Sequence, residues 1–337
     1  MLRIRFSLVV PLAAASLSLT PVLARADDFY QGKTVTVVVG FSSGGGYDAY
    51  ARLLAQFIGQ HVPGKPNVIV QNTPGAGSLT AVRSLDVTQP KDGTVIAIFN
   101  PGLVTQSIVQ PKIVDLDFRK LAWIGVVTPD FRVCYGYGSQ GVKSWDDLMH
   151  RKQFIIGSTA KGSGNYINGA TLRIVFKAPV KQILGFPGSA EQRIAIEQGE
   201  LDGDCGSFSS IPPDWVRDNK AHMFVRFSQA RPPEIPETAV YIDGLAMTPE
   251  QKQLLDMLDA ANDVGRPFVM SSEVPADRIA IIRTAFNDTM KDPDFLAAAK
   301  KEQLPVNPLT GQEAEKIVAK MVSAPPAIVT NAKKIYD

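Results

Sequence analysis

The sequence predicts an α/β protein of two lobes, each a doubly wound sheet with helices on both faces. Three observations predict it. Strand, glycine-rich turn and helix succeed one another twice, beginning at Val35 and again at Phe154. The run Val35–Val39 is continuous and β-branched rather than alternating, as in strands covered on both faces. The chain has 337 residues, and roughly 310 of them beyond a leader suit two domains of ordinary size.

The first 26 residues read as that leader. Arg3 and Arg5 precede an apolar core, Phe6 to Leu19, and a small-residue exit, Ala24-Arg25-Ala26. This is the tripartite form of a secretory signal peptide, with cleavage expected after Ala26 and export to the periplasm. No later run approaches the 18 or so apolar residues of a membrane span.

The mature elements follow in order. After the strand Val35–Val39 comes the turn Gly40 to Asp48, then a helix in which Tyr50, Leu53, Leu54, Phe57 and Ile58 recur at helical spacing. Val68–Val70 is the next strand, followed by the turn Asn72 to Gly77, a short helix from Ser78, and the strand Thr94–Phe99. This βαβαβ order predicts a parallel sheet with ligand groups at the carboxyl ends of its strands. The rhythm restarts after Trp123. Val133–Tyr137 and Phe154–Ile156 are strands, Gly157 to Gly164 a second glycine-rich turn, and Tyr166–Phe176 a helix. Gln182–Phe186, the helix Ala190–Gln198, a strand after Asp202 and the strand His222–Phe227 follow. The last third is helical over Pro249–Ala261, Pro275–Lys291, Pro293–Glu302 and Gly311–Ser323. Residues 27–122 with 230–337 are expected to form lobe 1 and residues 123–229 lobe 2, with hinge crossings near 121–127 and 223–231. A ligand between two such lobes is the venus-flytrap arrangement.

Charge narrows the partners. The chain holds 35 Lys and Arg against 33 Asp and Glu, and losing Arg3, Arg5 and Arg25 leaves the mature protein at a net charge of −1. A near-neutral surface argues against nucleic acid as a partner. The three histidines are scattered, without metal-ligand spacing, so no metal and no cofactor is expected. Cys134 and Cys205 are the only cysteines. In an oxidising compartment they either pair or stay as buried thiols, and spacing does not decide between these.

The glycine turns carry the chemistry. A glycine-rich turn from strand to helix presents backbone N–H groups to an anion. Gly-x-Gly-x-x-Gly is not satisfied by Gly40 with Gly44-Gly45-Gly46, which argues against a nucleotide fingerprint. The alternative for these glycines is a tight connection with close helix–strand packing. No Gly-x-Ser-x-Gly elbow surrounds Ser158 or Ser163, so the chain is not read as an enzyme. An exported hydrolase with a triad assembled in space stays as a minor alternative, beside a ligand-sensing subunit that signals to a membrane partner.

The motifs together resemble the Bug receptors, the periplasmic binding proteins of tripartite tricarboxylate transporters. The resemblance runs through Lys33 to Val39, Gly44-Gly45-Gly46-Tyr47-Asp48, Ala51-Arg52, Val68 to Ser78 and Pro90 to Gly93. It resumes at Gly157-Ser158, Gly162-Ser163-Gly164, Gly185 to Ala190 and Gln198 to Asp202. It departs at Ser42-Ser43, Tyr47 and Gly203-Asp204-Cys205-Gly206, all next to the expected pocket. It implies a receptor that holds a small carboxylate (a di- or tricarboxylate, an aromatic acid or a related organic acid) between two lobes and delivers it, as a monomer, to membrane transporter subunits.

The same resemblance implies ligand contacts from Phe41, Ser42, Ser43, Gly45, Gly46, Tyr47 and Asp48 in the first turn, and from Ser158, Lys161, Gly162, Ser163, Gly164 and Asn165 in the second. Ala76, Ser78, Asn100, Pro187, Gly188 and Asp204 complete the candidate set. Asp48 is expected to cap its helix rather than face the ligand. Lys161 is either a rim lysine or a partner of a ligand carboxylate. Asp204 either meets an ammonium or hydroxyl of the ligand or bonds backbone near a hinge. With no Arg or Lys cluster in the turns, N–H and hydroxyl donors are expected to hold the carboxylate.

Overall fold

A computed structural model describes residues 29–245 and 247–336; the expected leader and its cleavage after Ala26 lie outside them. The chain forms two six-stranded sheets. In the first unit, β1 (Thr34–Val39), α1 (Gly46–His61), β2 (Asn67–Asn72), α2 (Leu79–Val87), β3 (Val95–Ile98), α3 (Gly102–Val109) and β4 (Ala122–Val126) follow in order. The second unit takes β5 (Val133–Tyr137), α4 (Trp145–His150), β6 (Phe154–Ser158), α5 (Gly164–Val175), β7 (Val180–Leu184) and α6 (Ser189–Glu197). It continues through β8 (Gly203–Asp204), α7 (Pro213–Arg217), β9 (Ala221–Arg226) and β10 (Val240–Tyr241). The remaining elements are α8 (Pro249–Asp259), β11 (Pro267–Met270), α9 (Ala276–Thr289), α10 (Pro293–Lys301), β12 (Leu309–Thr310), α11 (Gly311–Val322) and α12 (Pro326–Tyr336).

The strand orders are β12-β4-β11-β3-β1-β2 and β10-β9-β5-β8-β6-β7. Neither sheet is wholly parallel, as the βαβαβ reading predicts for the first. β1 pairs in parallel with β2 and β3, but β11 enters antiparallel between β3 and β4. Pro267–Met270 gives too short an apolar run to stand out from helical sequence, and only its insertion between two buried strands makes it a strand. Helices cover both faces of each sheet. Val35, Val37 and Val39 enter one apolar cluster and Val38 another, on opposite sides of β1. That two-sided burial is why the run is uninterrupted.

Hydrogen bonding puts Ala122–Val126 in the first sheet and Val240–Tyr241 in the second. The chain therefore passes between sheets over residues 127–132 and returns after Tyr241, displaced from the expected 121–127 and 223–231. A bridge between Arg132 and Ser207 marks where the first passage joins the second sheet. Cys134 on β5 and Cys205 after β8 form a disulfide within that sheet. Val109, Tyr166, Ile167, Leu254, Leu258, Ala332, Ile335 and Tyr336 form a shared apolar cluster, so α12 packs with helices of both units.

Candidate functional site

Between the two sheets lies a cavity of about 50 Å³ lined by Phe41, Gly45, Gly46, Tyr47, Asn100, Arg132, Thr159, Ser163, Gly164, Asn165, Ser189, Gln192, Asp204, Gly206, Ser207 and Ser210. Three helices begin at its wall: α1 at Gly46, α5 at Gly164 and α6 at Ser189. Their N-termini bring partial positive charge and orphan N–H groups to one small space.

Glycines let the two units approach so closely. A Cβ on Gly45 would stand 2.7 Å from Ser189 Oγ, and one on Gly46 2.8 Å from Ser210 Oγ. Both partners belong to the other unit. A Cβ on Gly188 would likewise collide with Ser42 Oγ. Direct bonds cross at the same places. Ser42 Oγ donates to Glu191 Oε2 at 2.7 Å, Arg193 donates to Gly44 O at 2.8 Å and Asn100 Nδ2 donates to Gly162 O at 2.8 Å. Pro187 O accepts from Ser42 N at 3.4 Å.

The walls combine cations, aromatic faces and donors. Asp130 pairs with Arg132 at 2.6 Å and Arg266 at 3.1 Å, and all three side chains are buried. Burial alone would raise the Asp130 pKa, but the two guanidinium charges and hydrogen bonds from Ser207 and Arg266 hold it below the usual carboxylate range. Two arginines against one aspartate leave a positive charge beside the cavity. The Arg266 guanidinium sits 4.3 Å from the Tyr47 ring centroid, and Tyr47 stacks on Phe41 at 4.8 Å. Thr159 Oγ1 and Gln192 Nε2 on the cavity wall have no hydrogen-bond partner, and the Tyr47 hydroxyl makes no bond of good geometry beside Arg132. These buried polar atoms are open to a group bound in the cavity.

Of the expected residues, Phe41, Gly45, Gly46, Tyr47, Asn100, Ser163, Gly164, Asn165 and Asp204 line the cavity. The others stand back from it. Asp48 does not cap its helix; it folds into its own turn, accepting from Gly44 N at 2.8 Å, Asn72 Nδ2 at 2.8 Å and Arg52 Nε at 2.8 Å. Burial opposes its ionisation, yet the bonds from Arg52, Gly44 N–H and Asn72 keep its pKa low. The turn thus carries its own anion, and Gly44 N–H is already engaged. Ser43 Oγ also bonds Asp48, at 3.2 Å. Ser78, held at φ +80°, is fully buried and accepts from Asn100 N at 2.9 Å; with Ala76 in the same turn it positions Asn100 rather than meeting the cavity. Ser158 is wholly buried and bonded to Gln182 Nε2 at 3.3 Å. Lys161 lies exposed on its loop, and Ser42, Gly162, Pro187 and Gly188 serve the contact between units.

Arg132, Thr159, Ser189, Gln192, Gly206, Ser207 and Ser210 were not in the candidate set. Beside the N–H and hydroxyl donors expected from the turns, Arg132 adds a guanidinium to the cavity wall. It sits outside both glycine turns, on the passage between sheets, where no sequence pattern marks it. Among the described residues no group of three or more His, Cys, Asp or Glu could hold a metal ion, and no helix is long and apolar enough to cross a membrane.

Two mixed α/β units with a polar cavity between them define the periplasmic binding protein fold, and known structures share it. BugD superposes with a TM-score of 0.75 at 18% identity, covering 91% of this chain and 98% of that one. MatC from Rhodopseudomonas palustris with bound malate gives 0.70 at 17% identity, covering 90% and 99%. A second R. palustris protein, solved with adipate, gives 0.71 at 16%, covering 89% and 97%. The resemblance to Bug-type receptors read from the motifs is thus matched in the fold. Among curated sequences, a UPF0065 protein from the ttuE–ttuC′ intergenic region of Agrobacterium vitis is 21% identical over 232 residues, 67% of this chain and 66% of that protein. A UPF0065 protein from the gbd 5′ region of Cupriavidus necator is 33% identical over 97 residues, 29% of each chain. The matches thus span 66% of the first relative's length and 29% of the second's. No protein-family model matches the chain.

Proposed function

We propose that this protein is a periplasmic solute receptor that closes on a small organic acid and presents it to a membrane transporter. The observation that carries the reading is the convergence of three helix N-termini and Arg132 on one cavity between the units. Each favours a carboxylate, and together they offset the cost of taking its charge out of water. Arg132, the N-terminus of α1 at Gly46, Ser163, Thr159, Ser189 and Gln192 are the groups we assign to the ligand. The two R. palustris neighbours carry malate and adipate, acids that such donors suit. We assign the hinges between lobes to the passages at 127–132 and after Tyr241.

Closure follows from the same geometry. One unit alone offers an open donor set, and drawing the second over it buries the acid and completes the bonds at Ser42–Glu191 and Gly44–Arg193. The closed form is then favoured by as much as the ligand prefers it. A thermal-shift screen of mono-, di- and tricarboxylates on residues 27–337 tests the function. A ligand at a hundred times its Kd adds about 2.7 kcal/mol of stability. A clear rise in Tm with at least one acid, without turnover of that acid, supports the receptor. No rise with any acid, at concentrations up to millimolar, overturns it.

A further inference from the structure

Asp204 puts a carboxyl group on the wall of a cavity that also holds Arg132. An ionised carboxylate there would repel a plain acid, so its presence calls for a separate account. It stands opposite Tyr135 on the antiparallel strand, while Arg132 bridges to Ser207 further along the same two segments, and both Asp204 and Arg132 line the cavity. Its Oδ1 accepts from Cys205 N at 2.8 Å, while its Oδ2 occupies the space where a Cβ would stand if Gly206 were any other residue. Gly206 itself lines the cavity, so the glycine opens that oxygen to the enclosed space. The Cys134–Cys205 disulfide fixes the next residue in place. The side chain is therefore held, buried and aimed.

We propose that Arg132 and Asp204 form a two-point reader for acids that carry a hydrogen-bond donor beside the carboxylate, namely 2-hydroxy and 2-amino acids, with the carboxylate toward Arg132 and the donor toward Asp204. The inference rests on the carboxylate-receptor reading and narrows its substrate class. Arg132, Arg266, Asp130 and a neutral Asp204 leave one positive charge for a hydroxy acid. The same set with Asp204 ionised is neutral and matches a zwitterion. Burial pushes the Asp204 carboxyl up to about 7, against the Cys205 N–H, the Arg132 charge, the Asn165 side chain and the Arg193 charge, so both forms are within reach near neutral pH. A plain acid leaves Asp204 buried without the donor it is placed to meet, which costs affinity.

Calorimetry at one pH and ionic strength tests this with matched probes: propionate, lactate and alanine, and succinate, malate and aspartate. At least one donor-bearing acid should bind about tenfold or more tightly than its plain counterpart. Asp204→Asn should shrink that ratio to within about threefold while sparing the plain acid. Gly206→Ala, whose Cβ would displace Oδ2, should shrink it too and serves if the first variant fails to fold. Equal binding of plain and donor-bearing acids, or a preference that survives both variants, overturns the inference and leaves the receptor reading intact. Binding of none of the six overturns the inference, and if the wider acid screen also gives no rise in Tm it overturns the receptor reading as well.

Discussion

Arg132 and Asp130 form an ion pair of 2.6 Å in which neither side chain is more than 6% exposed, and Arg266 approaches the other carboxylate oxygen at 3.1 Å. One acid shared by two guanidiniums is what lets Arg132 face the cavity with charge to spare. Asp130 and Arg132 lie on the passage between sheets, and Arg266 opens the strand that leads back into the first. Ser209 and Ser207, from the second unit, bond Arg266 and Asp130 at 2.7 Å and 2.9 Å. The charge of the site is thus anchored where the two units join.

Arg132→Gln should therefore remove the buried cation while keeping a similar length of side chain. Loss of a charge-assisted contact of roughly 1.5–3 kcal/mol predicts a tenfold to hundredfold weaker Kd for the best acid, measured by calorimetry. In the wild type, affinity should fall little between low and high salt, because the pair is screened far less than surface charge. Unchanged affinity in the variant would remove Arg132 from the site.

Gly45→Val and Gly46→Val should fold normally but fail to close. Gly45 has φ of −89°, open to any residue, so the penalty lies in the opposing serines and not in backbone strain. Solution scattering with a saturating acid should show the wild type contracting and both variants keeping the larger radius of gyration. Contraction equal to wild type would show that these glycines are only a tight connection.

Arg193→Ala and Glu191→Ala remove bonds that cross from α6 to the first turn. Each is part-exposed, and losing about 1 kcal/mol of closed-state stability predicts roughly fivefold faster ligand release. Stopped-flow displacement reads this directly, and the association rate should barely change.

The disulfide closes a separation of 71 residues, for which chain entropy predicts about 4 kcal/mol of stabilisation. Cys134→Ser with Cys205→Ser should lower the denaturation midpoint accordingly. Because Cys205 adjoins Asp204, ligand affinity should drop as well. A reductant should reproduce the stability loss in the wild type and have no effect on the double variant.

Asp204 predicts a pH dependence of opposite sign to an ordinary salt-bridged acid. Its folded pKa of about 7 lies above the 3.8 of the unfolded chain, so between these values the native state holds more protons. The stability from this group is complete below about pH 4 and declines as pH rises toward 7. Asp204→Asn should flatten that decline in urea titrations of the ligand-free protein, and an unchanged slope would assign it to another group.

Much of this molecule is legible in its sequence. Val35–Val39 is a strand because a β-branched run covered on both faces has no polar partner to alternate with, and the helices beginning at Gly46, Gly164 and Ser189 lie close to where apolar spacing and glycine punctuation put them. Glycine punctuation marked the turns that flank the cavity, and nine of the candidate residues that the resemblance implied line it. Tertiary structure alone decided the rest. Short strands such as Pro267–Met270 and Leu309–Thr310 exist only because sheet neighbours supply their hydrogen bonds. Asp48 was expected to cap its helix, and the approach of Asn72 and Arg52, which no local pattern records, holds it in its own turn instead. Arg132 and Arg266, 134 positions apart in number, share Asp130 through contacts that no spacing records. A charge enters a cavity by the path of the backbone around it, and that path is set by the packing of two sheets.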